Sequence, residues 1–225
     1  MTLWFQVHPE LAEAARTRGP VVTVLPPLSP LRPFVFLQFN CGKKTVGKIS
    51  IELFDDIVPT AAKYFLSRCL SSSAAHPEDC LVGKQVTKVL HGVCFVCTIS
   101  KSQDVGGARL TSKSEPSLRH CESGVVSVRC DGNDVCIALA ATLPQYDATH
   151  QVIGRVIPIC MSVVETIADV PTTADDVPAQ AVIISRTGKT DAHGKAEIDV
   201  VDVDKKTPDD VGRVLKSENV QRSVL

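Results

Sequence analysis

The 225-residue sequence lacks an excess of charge of either sign, because it carries 24 basic and 25 acidic residues. This balance argues against a nucleic-acid-binding protein held by a broad basic surface. No run approaches the roughly 18 to 20 consecutive apolar residues of a membrane-spanning helix. The chain also opens without a basic region followed by an apolar core, and Glu10 and Glu13 interrupt its amphipathic start, so neither a signal peptide nor a mitochondrial presequence is predicted. We therefore expect a cytoplasmic protein that binds neither membrane nor nucleic acid directly.

The sequence also lacks the cysteine and histidine spacing of a metal site. Its nine cysteines are spread along the chain, and this odd number fits reduced thiols. Cys94 and Cys97 form a C-x-x-C pair inside an apolar run, where positions three apart in a strand point to opposite faces. No second pair follows at zinc spacing. We expect no metal and no cofactor, and we interpret the cysteines as small buried hydrophobes.

Other catalytic patterns are missing as well. No G-x-S-x-G elbow surrounds Ser127, so its nearness in sequence to His120 does not predict a nucleophile. Asp131 and Asp134 flank a glycine and predict a turn. Residues 199–204 consist only of Asp and Val, largely interleaved and without the spacing of a calcium loop, which favours an edge strand.

Composition divides the chain into three parts: a Pro-rich N-terminal extension (1–33), a domain (34–188) and a charged C-terminal tail (189–225). Five prolines between positions 20 and 33 deny the extension donors for a sheet and favour an extended course. In the tail, Thr207 and Pro208 are typical of a helix start. A short helix there is marginal in isolation, so we expect it to dock on the body or on another protein.

The hydrophobic periodicity of residues 34–188 indicates a mainly β domain. Apolar residues alternate strictly from Lys48 to Leu53, which marks a half-buried strand, and the period changes to that of a helix over 59–70 and again over 159–170. Many short strands with few helices favour an antiparallel barrel or sandwich. The other strand-like runs are 34–40, 86–90, 93–99, 125–130, 135–141, 152–157 and 181–186.

The domain contains several short motifs whose order and spacing along the chain are informative. Residues 58–65 read V-P-T-A-A-K-Y-F, residues 118–120 read L-R-H, and residues 150–156 read H-Q-V-I-G-R-V. In order and spacing they resemble the cyclophilins, the peptidyl-prolyl cis-trans isomerase family, whose corresponding patterns include V-P-x-T-x-x-N-F and H-x-V-F-G-x-V. The resemblance implies a closed eight-stranded antiparallel β-barrel capped by two α-helices, in agreement with the strand pattern.

The resemblance also implies a catalytic site that has lost most of its residues. The family motif F-H-R-I-I-P-G-F-M-x-Q-G-G-D falls on residues 86–96, where the arginine becomes Lys88. In active members that arginine donates hydrogen bonds near the prolyl amide and lowers a rotation barrier of roughly 20 kcal/mol. Lysine offers a point charge instead of a planar fork. The aromatic and the methionine of the proline pocket become Val93 and Cys94, and the substrate-anchoring glutamine becomes Val96.

The second half of the implied site has changed in the same way. A pocket-lining run of the family is replaced by the shorter residues 130–137, and its pocket aromatic becomes Ile137. The last pocket residue becomes Tyr146, and His150 alone keeps a matching identity. The simpler interpretation of His150 is a hydrogen-bonding residue of the barrel rim. The simpler interpretation of Lys88 is a solvated surface charge. We therefore assign no catalytic residue.

Three functions follow from this pattern. The first is a catalytically degenerate cyclophilin that serves as an interaction or structural subunit of a larger cytoskeletal, axonemal, ribonucleoprotein or ribosomal assembly. The second is a weak isomerase or proline-peptide-binding folding helper, and the third is a chaperone-like holdase. The apolar termini favour the first, since burying a large apolar side chain is worth about 1.5 to 3 kcal/mol. The residues expected to bind partner subunits are Leu3, Trp4, Phe5, Val22, Leu25, Leu28, Val214 and Leu215.

The extension has one alternative to binding a partner. It could fold back over its own barrel, across the altered proline groove, as a built-in pseudo-ligand.

Overall fold

The computed structural model describes residues 20–71, 80–99, 110 and 115–202. The described elements are two α-helices, α1 (Pro59–Leu70) and α2 (Met161–Ala168), a short 3₁₀ helix (Pro158–Cys160) and eleven strands. The strands are β1 (Val21–Val22), β2 (Phe34–Cys41), β3 (Lys44–Leu53), β4 (Val86–Leu90), β5 (Cys94–Thr98), β6 (Ser117–Leu118), β7 (Val125–Arg129), β8 (Asp134–Ala138), β9 (His150–Val156), β10 (Val182–Thr190) and β11 (Ile198–Asp202).

Nine of these strands form one curled antiparallel sheet in the order β11-β10-β2-β3-β9-β7-β8-β5-β4. The end of the sheet next to β4 returns to β10, because Gln85 bridges Ile183 and the Gly83 N–H donates to the Ile184 carbonyl at 2.8 Å. Eight strands therefore curl into the barrel, and β11 extends β10 at its edge. The predicted mainly β fold with two helices is confirmed.

The interior of the barrel is filled by the alternating apolar residues that the sequence pattern singled out. Phe39 and Phe95 meet edge to face, with ring centroids 6.0 Å apart. On α1, Phe65 and Cys69 pack into the same interior, as Val164 and Ile167 do on α2. The two helices thus cover the core with the helical faces that the periodicity predicted.

Helix α1 begins where the sequence predicted. Pro59 occupies its first turn, where a missing N–H costs no helical hydrogen bond. The next orphan donor, the Thr60 N–H, is satisfied by Glu115 Oε1 at 3.1 Å from a distant part of the chain. Neither α1 nor α2, the α-helices of the described residues, has the length and apolarity needed to cross a membrane.

Strand β3 differs from its prediction in one respect. The alternation predicted a strand with one solvated face, but Ser50 and Glu52 on the polar face are also buried. The outer face of Glu52 is covered by residues 20–33, which we call the strap: the Ser29 N–H donates to its Oε1 at 2.8 Å. At Gly154 on β9, a Cβ would overlap the Glu52 carbonyl oxygen, so the close approach of β9 to β3 requires glycine.

The folded unit extends past both ends of residues 34–188. The strap adds β1 to β6 in parallel, with Val21 opposite Ser117 and Val22 opposite Leu118. At the other end β10 runs to Thr190, and β11 pairs with it over residues 198–202. The predicted edge strand is therefore present up to Asp202, and residues 203 and 204 lie outside the described residues, as does the helix predicted after Thr207.

Candidate functional site

The residues predicted for the first half of the site lie on the outer face of the barrel. Strand pairing sets Lys88 beside Val96, Val96 beside Cys136, and Cys136 beside Ser127. We call these four residues the Lys88 row. Because side chains alternate across a strand, Cys94 lies on the same face as Val96. The structure thus brings Lys88, Val96 and Cys94 together on one face of the sheet.

Ile137 is not part of this face. Its side chain is fully buried and packs in the interior cluster with Phe95, which it faces across the β5–β8 pair. The residue of β8 that points outward beside Val96 is Cys136. A shift of one position moves a strand residue to the opposite face of the sheet, so Cys136, one residue earlier, replaces Ile137 in the candidate site.

Two thiols and a phenol form the floor of the candidate site. Cys94 Sγ lies 3.3 Å from the Tyr146 hydroxyl oxygen and shares a hydrogen bond with the Cys136 thiol. These bonds, the one with Cys136 above all, lower the pKa of Cys94 to about 7 against the opposing effect of burial. The Cys136 pKa moves the other way, because its thiol is the partner that keeps the proton and because it is buried. Burial, followed by the contact with Cys94, also raises the pKa of Tyr146.

These side chains belong to one apolar cluster on the outside of the barrel, which we call the outer cluster. Val93, Val96 and Tyr146 are its partly buried members at the site. Its buried members are Leu25, Phe54, Val58, Cys94, Leu118, Val125, Cys136, Ala138, Leu143 and Val152. Aliphatic side chains and thiols therefore occupy the positions at which the family implies an aromatic ring, a methionine and a glutamine.

His150 lies at the rim of the site. Its ring centroid is 4.8 Å from that of Tyr146, and its Nδ1 is 2.8 Å from the Thr149 hydroxyl. The His150 N–H donates to the Tyr146 carbonyl at 2.9 Å. These contacts match the simpler interpretation of His150 as a hydrogen-bonding residue of the rim.

A buried polar chain that sequence reasoning missed begins at Ser127, the last member of the Lys88 row. His120 Nδ1 lies 2.8 Å from Asp147 Oδ1, and His120 Nε2 lies 2.8 Å from Ser127 Oγ. Although burial opposes it, hydrogen bonds from His120 hold the pKa of Asp147 below its ordinary value. Ser127 is fully buried. This chain of Ser, His and Asp side chains therefore links β7 to the segments that hold His120 and Asp147 and does not present a nucleophile to solvent. Asp147 directly follows Tyr146 in the sequence, which is the only signal that pointed to it.

The thiols of the C-x-x-C pair diverge as the sequence predicted. Cys94 joins the outer cluster, whereas Cys97 packs in the interior, where burial raises its pKa to about 12. All nine cysteines are free. Within the described ranges, His, Cys, Asp and Glu side chains form no group of three that could hold a metal ion.

Three of the predicted partner-binding residues lie in the strap. Leu25 is only 9% exposed and packs into the outer cluster of its own barrel, and Val22 is half-buried beside Leu118. Leu28 stays 46% exposed. Residues 20–33 therefore fold back over the barrel, with Val22 and Leu25 against the chain's own body, but they lie along β6 and the end of β3 and not across the altered proline groove beside the Lys88 row. Their hydrogen bonds run to β6 and to the end of β3. Leu3, Trp4, Phe5, Val214 and Leu215 lie outside the described residues.

The curled antiparallel barrel and its two covering helices are consistent with the cyclophilin fold that the sequence resemblance implied. The model of the cyclophilin type peptidyl-prolyl cis-trans isomerase/CLD family matches residues 36–189. This is well over half of the sequence, so the chain belongs to the cyclophilin family.

Two relatives illustrate how far the chain has diverged. It is similar to peptidyl-prolyl cis-trans isomerase D of Kluyveromyces lactis, with 28% identity over 229 residues that cover 88% of this chain and 61% of the relative. It is also similar to peptidyl-prolyl cis-trans isomerase 11 of Caenorhabditis elegans, with 26% identity over 174 residues, or 71% of this chain and 92% of the relative. The chain thus spans about three-fifths of the length of the Kluyveromyces protein.

Proposed function

We propose that this chain is a catalytically degenerate cyclophilin that acts as an interaction or structural subunit of a larger protein assembly. The observation that carries the proposal is the Lys88 row. Val96 pairs with Lys88, and Cys136 pairs in turn with Val96, at positions where an isomerase needs directional donors around a prolyl amide.

The chemistry of the row explains why turnover should be lost. Isomerisation needs hydrogen bonds that strengthen as the amide twists, since only such bonds lower the barrier. Valine has no polar side-chain atom, and the Ser127 hydroxyl is already engaged by His120. Lys88 is exposed, and its flexible ammonium lacks the planar fork that fixes an orientation. The replacements therefore remove directional stabilisation from the transition state.

An isomerase assay on a standard proline peptide tests this part of the proposal. We expect activity near background for the natural chain and for Lys88→Arg, because the arginine alone does not rebuild a pocket around it. An authentic active cyclophilin, assayed in parallel, is the positive control. A rate within about tenfold of that control, a difference of only about 1.4 kcal/mol in barrier, would contradict the proposal.

The weak-isomerase alternative also has an observation in its favour. Both relatives bear the name of a peptidyl-prolyl cis-trans isomerase, and Lys88 keeps a cation in the row. The same assay separates the two functions, since loss of a weak but measurable rate on Lys88→Ala would favour the alternative.

The subunit role rests on exposed apolar side chains of the strap. Val24 is 74% and Leu31 is 94% exposed, on a segment that is itself held to the barrel. Exposed apolar groups on an ordered segment are typical of protein interaction sites. We propose protein subunits of a cytoplasmic, cytoskeletal or ribonucleoprotein assembly as partners. The native mass of the chain in a cell extract tests this: a complex is expected, and a free monomer at all concentrations contradicts it.

A further inference from the structure

We propose that the barrel carries a second peptide-binding site, separate from the Lys88 row, which the strap occupies in cis. We call it the strap groove and define it by β6, Cys121, Glu52 and Asp56. Its ligand is an extended segment with an aliphatic side chain and, seven positions later, an arginine. In this chain those two residues are Leu25 and Arg32.

The first part of the groove recognises backbone. The Ser117 N–H donates to the Pro20 carbonyl at 2.8 Å, and the Arg119 N–H donates to the Val22 carbonyl at 3.1 Å. These bonds add β1 to β6 as a parallel strand. Strand addition is a common way to bind an extended peptide, because main-chain bonds give affinity and side-chain pockets give specificity.

The second part is an apolar pocket for Leu25. The side chain joins the outer cluster beside Leu118 and Leu143. Next to it, the Leu25 N–H donates a hydrogen bond to the Cys121 thiol, which is half-buried. One aliphatic side chain thus anchors the middle of the bound segment, and the segment covers Cys121.

The third part is an anionic clamp for Arg32. The guanidinium donates from Nε and Nη2 to the two oxygens of Asp56 at 2.7 and 2.9 Å, and from Nη1 to Glu52 Oε1 at 3.0 Å. It also lies 5.3 Å from the centroid of the Phe54 ring. Bidentate Arg–carboxylate pairs are short, strong and geometrically specific, so the clamp selects arginine over lysine.

Glu52 shows that the clamp is built into the barrel. Its side chain is fully buried, and Arg155 of β9 donates to Oε2 at 2.9 Å while the strap supplies both bonds to Oε1. A buried carboxylate is costly without several partners. The barrel thus provides one of the three hydrogen-bonding partners of Glu52, and the segment in the groove provides the other two.

The strap groove is distinct from the proposed loss of isomerase activity. Its polar contacts involve β3 and the β6 segment, whereas the Lys88 row lies on β4, β5, β7 and β8. The outcome of an isomerase assay therefore does not decide whether the groove binds a peptide, and the reverse also holds.

Alkylation of Cys121 in the full chain, followed by peptide mass spectrometry, tests the groove. Arg32→Glu puts a carboxylate against Glu52 and Asp56, so the strap should open and Cys121 should react at least about tenfold faster. Val24→Glu places the same charge at an exposed position of the strap and should leave the rate unchanged. A synthetic peptide of residues 20–33, added to the Arg32→Glu chain, should restore protection, whereas the same peptide with Arg32→Ala should not.

Two results would overturn the proposal. One is an unchanged Cys121 rate in Arg32→Glu, which would mean that the clamp does not hold the strap. The other is equal protection by the two peptides, which would mean that the groove does not read arginine. If Arg32→Glu does not fold, Leu25→Ala replaces it, with faster Cys121 alkylation and the same pair of peptides as its test.

Discussion

The strap groove and the Lys88 row occupy the same outer surface of one barrel, yet they are built from opposite chemistry. The groove surrounds a fully buried carboxylate with two arginines and a backbone N–H. The row sets one valine and one thiol side by side, with Lys88 at one end and Ser127, held by His120, at the other. Charged bonds of fixed direction recognise one ligand, whereas small apolar side chains mainly exclude water. The chemistry of the groove thus suits directional recognition, as proposed for it, whereas the chemistry of the row does not.

The largest expected effect comes from removing the charge at the centre of the groove. Glu52→Gln leaves Arg32 and Arg155 facing a neutral buried group, and breaking a buried ion pair in this way costs about 3 to 5 kcal/mol. Urea unfolding measures the loss. Glu165→Gln, an exposed change on α2, is the control and should stay within about 0.5 kcal/mol of the natural chain. A loss as small for Glu52→Gln would erase the contrast between the two regions.

A smaller loss of stability is expected from replacing Ser127, the member of the row that contacts His120. Ser127→Ala removes the partner of His120 Nε2 and leaves a buried ring nitrogen unsatisfied, at a cost of about 1 to 3 kcal/mol. Thermal unfolding measures it, with the exposed Ser67→Ala as the matched control. An unchanged midpoint would show that the polar chain through His120 adds nothing to the rigidity of the row.

The next prediction concerns the pKa of the Cys94 thiol at the floor of the candidate site. The pKa of Cys94 is lowered to about 7, with Cys136 as the main donor and Tyr146 as the second. We expect Tyr146→Phe to raise that pKa, because the thiolate loses a donor. Thiolate absorbance in the ultraviolet as a function of pH measures the change, with Cys94→Ala as the blank. A titration that Tyr146→Phe does not move would contradict the hydrogen-bonded arrangement.

The smallest expected effect is the weakening of the Arg32–Asp56 contact as the pH is lowered. Arg32 holds the pKa of Asp56 below its ordinary value, mainly through their hydrogen bonds. The ionised form is thus favoured in the folded chain, so the contribution to stability is present above the ordinary carboxyl range and is lost as the pH falls through the lowered pKa. Asp56 is half-exposed, so the contribution is small. The protection factor of the Ser29 amide, which is corrected for the intrinsic pH dependence of exchange, should fall on acidification, and Asp56→Asn should reduce that fall.

Much of the fold could be predicted because its signals are local. The alternation from Lys48 to Leu53 fixed a strand, and Pro59 marked a helix start. The order of the motifs then selected the cyclophilin barrel, which the family match confirmed. Such signals depend on neighbours in sequence, and a single chain displays them directly.

The parts of the site that escaped prediction depend on distant pairing. Whether Ile137 or Cys136 points outward is decided by the register of β8 against β5, and a one-residue difference in alignment reverses the answer. The clamp between Arg32 and Asp56 likewise joins two ordinary charged residues from separate segments. No local pattern distinguishes such a pair from solvated charges.

The parallel pairing of β1 with β6 has a consequence for synthesis on the ribosome. Ser117 follows Val21 by 96 residues, so at about 5 to 20 residues per second the strap emerges about 5 to 20 s before its docking strand. During that interval Val21 and Val22 have no strand to pair with. The prolines protect the strap from mispairing with another nascent chain, because a segment without several of its N–H donors is a poor template for strand pairing. The proline content that keeps the strap extended in the folded protein thus also limits its mispairing before β6 has been synthesised.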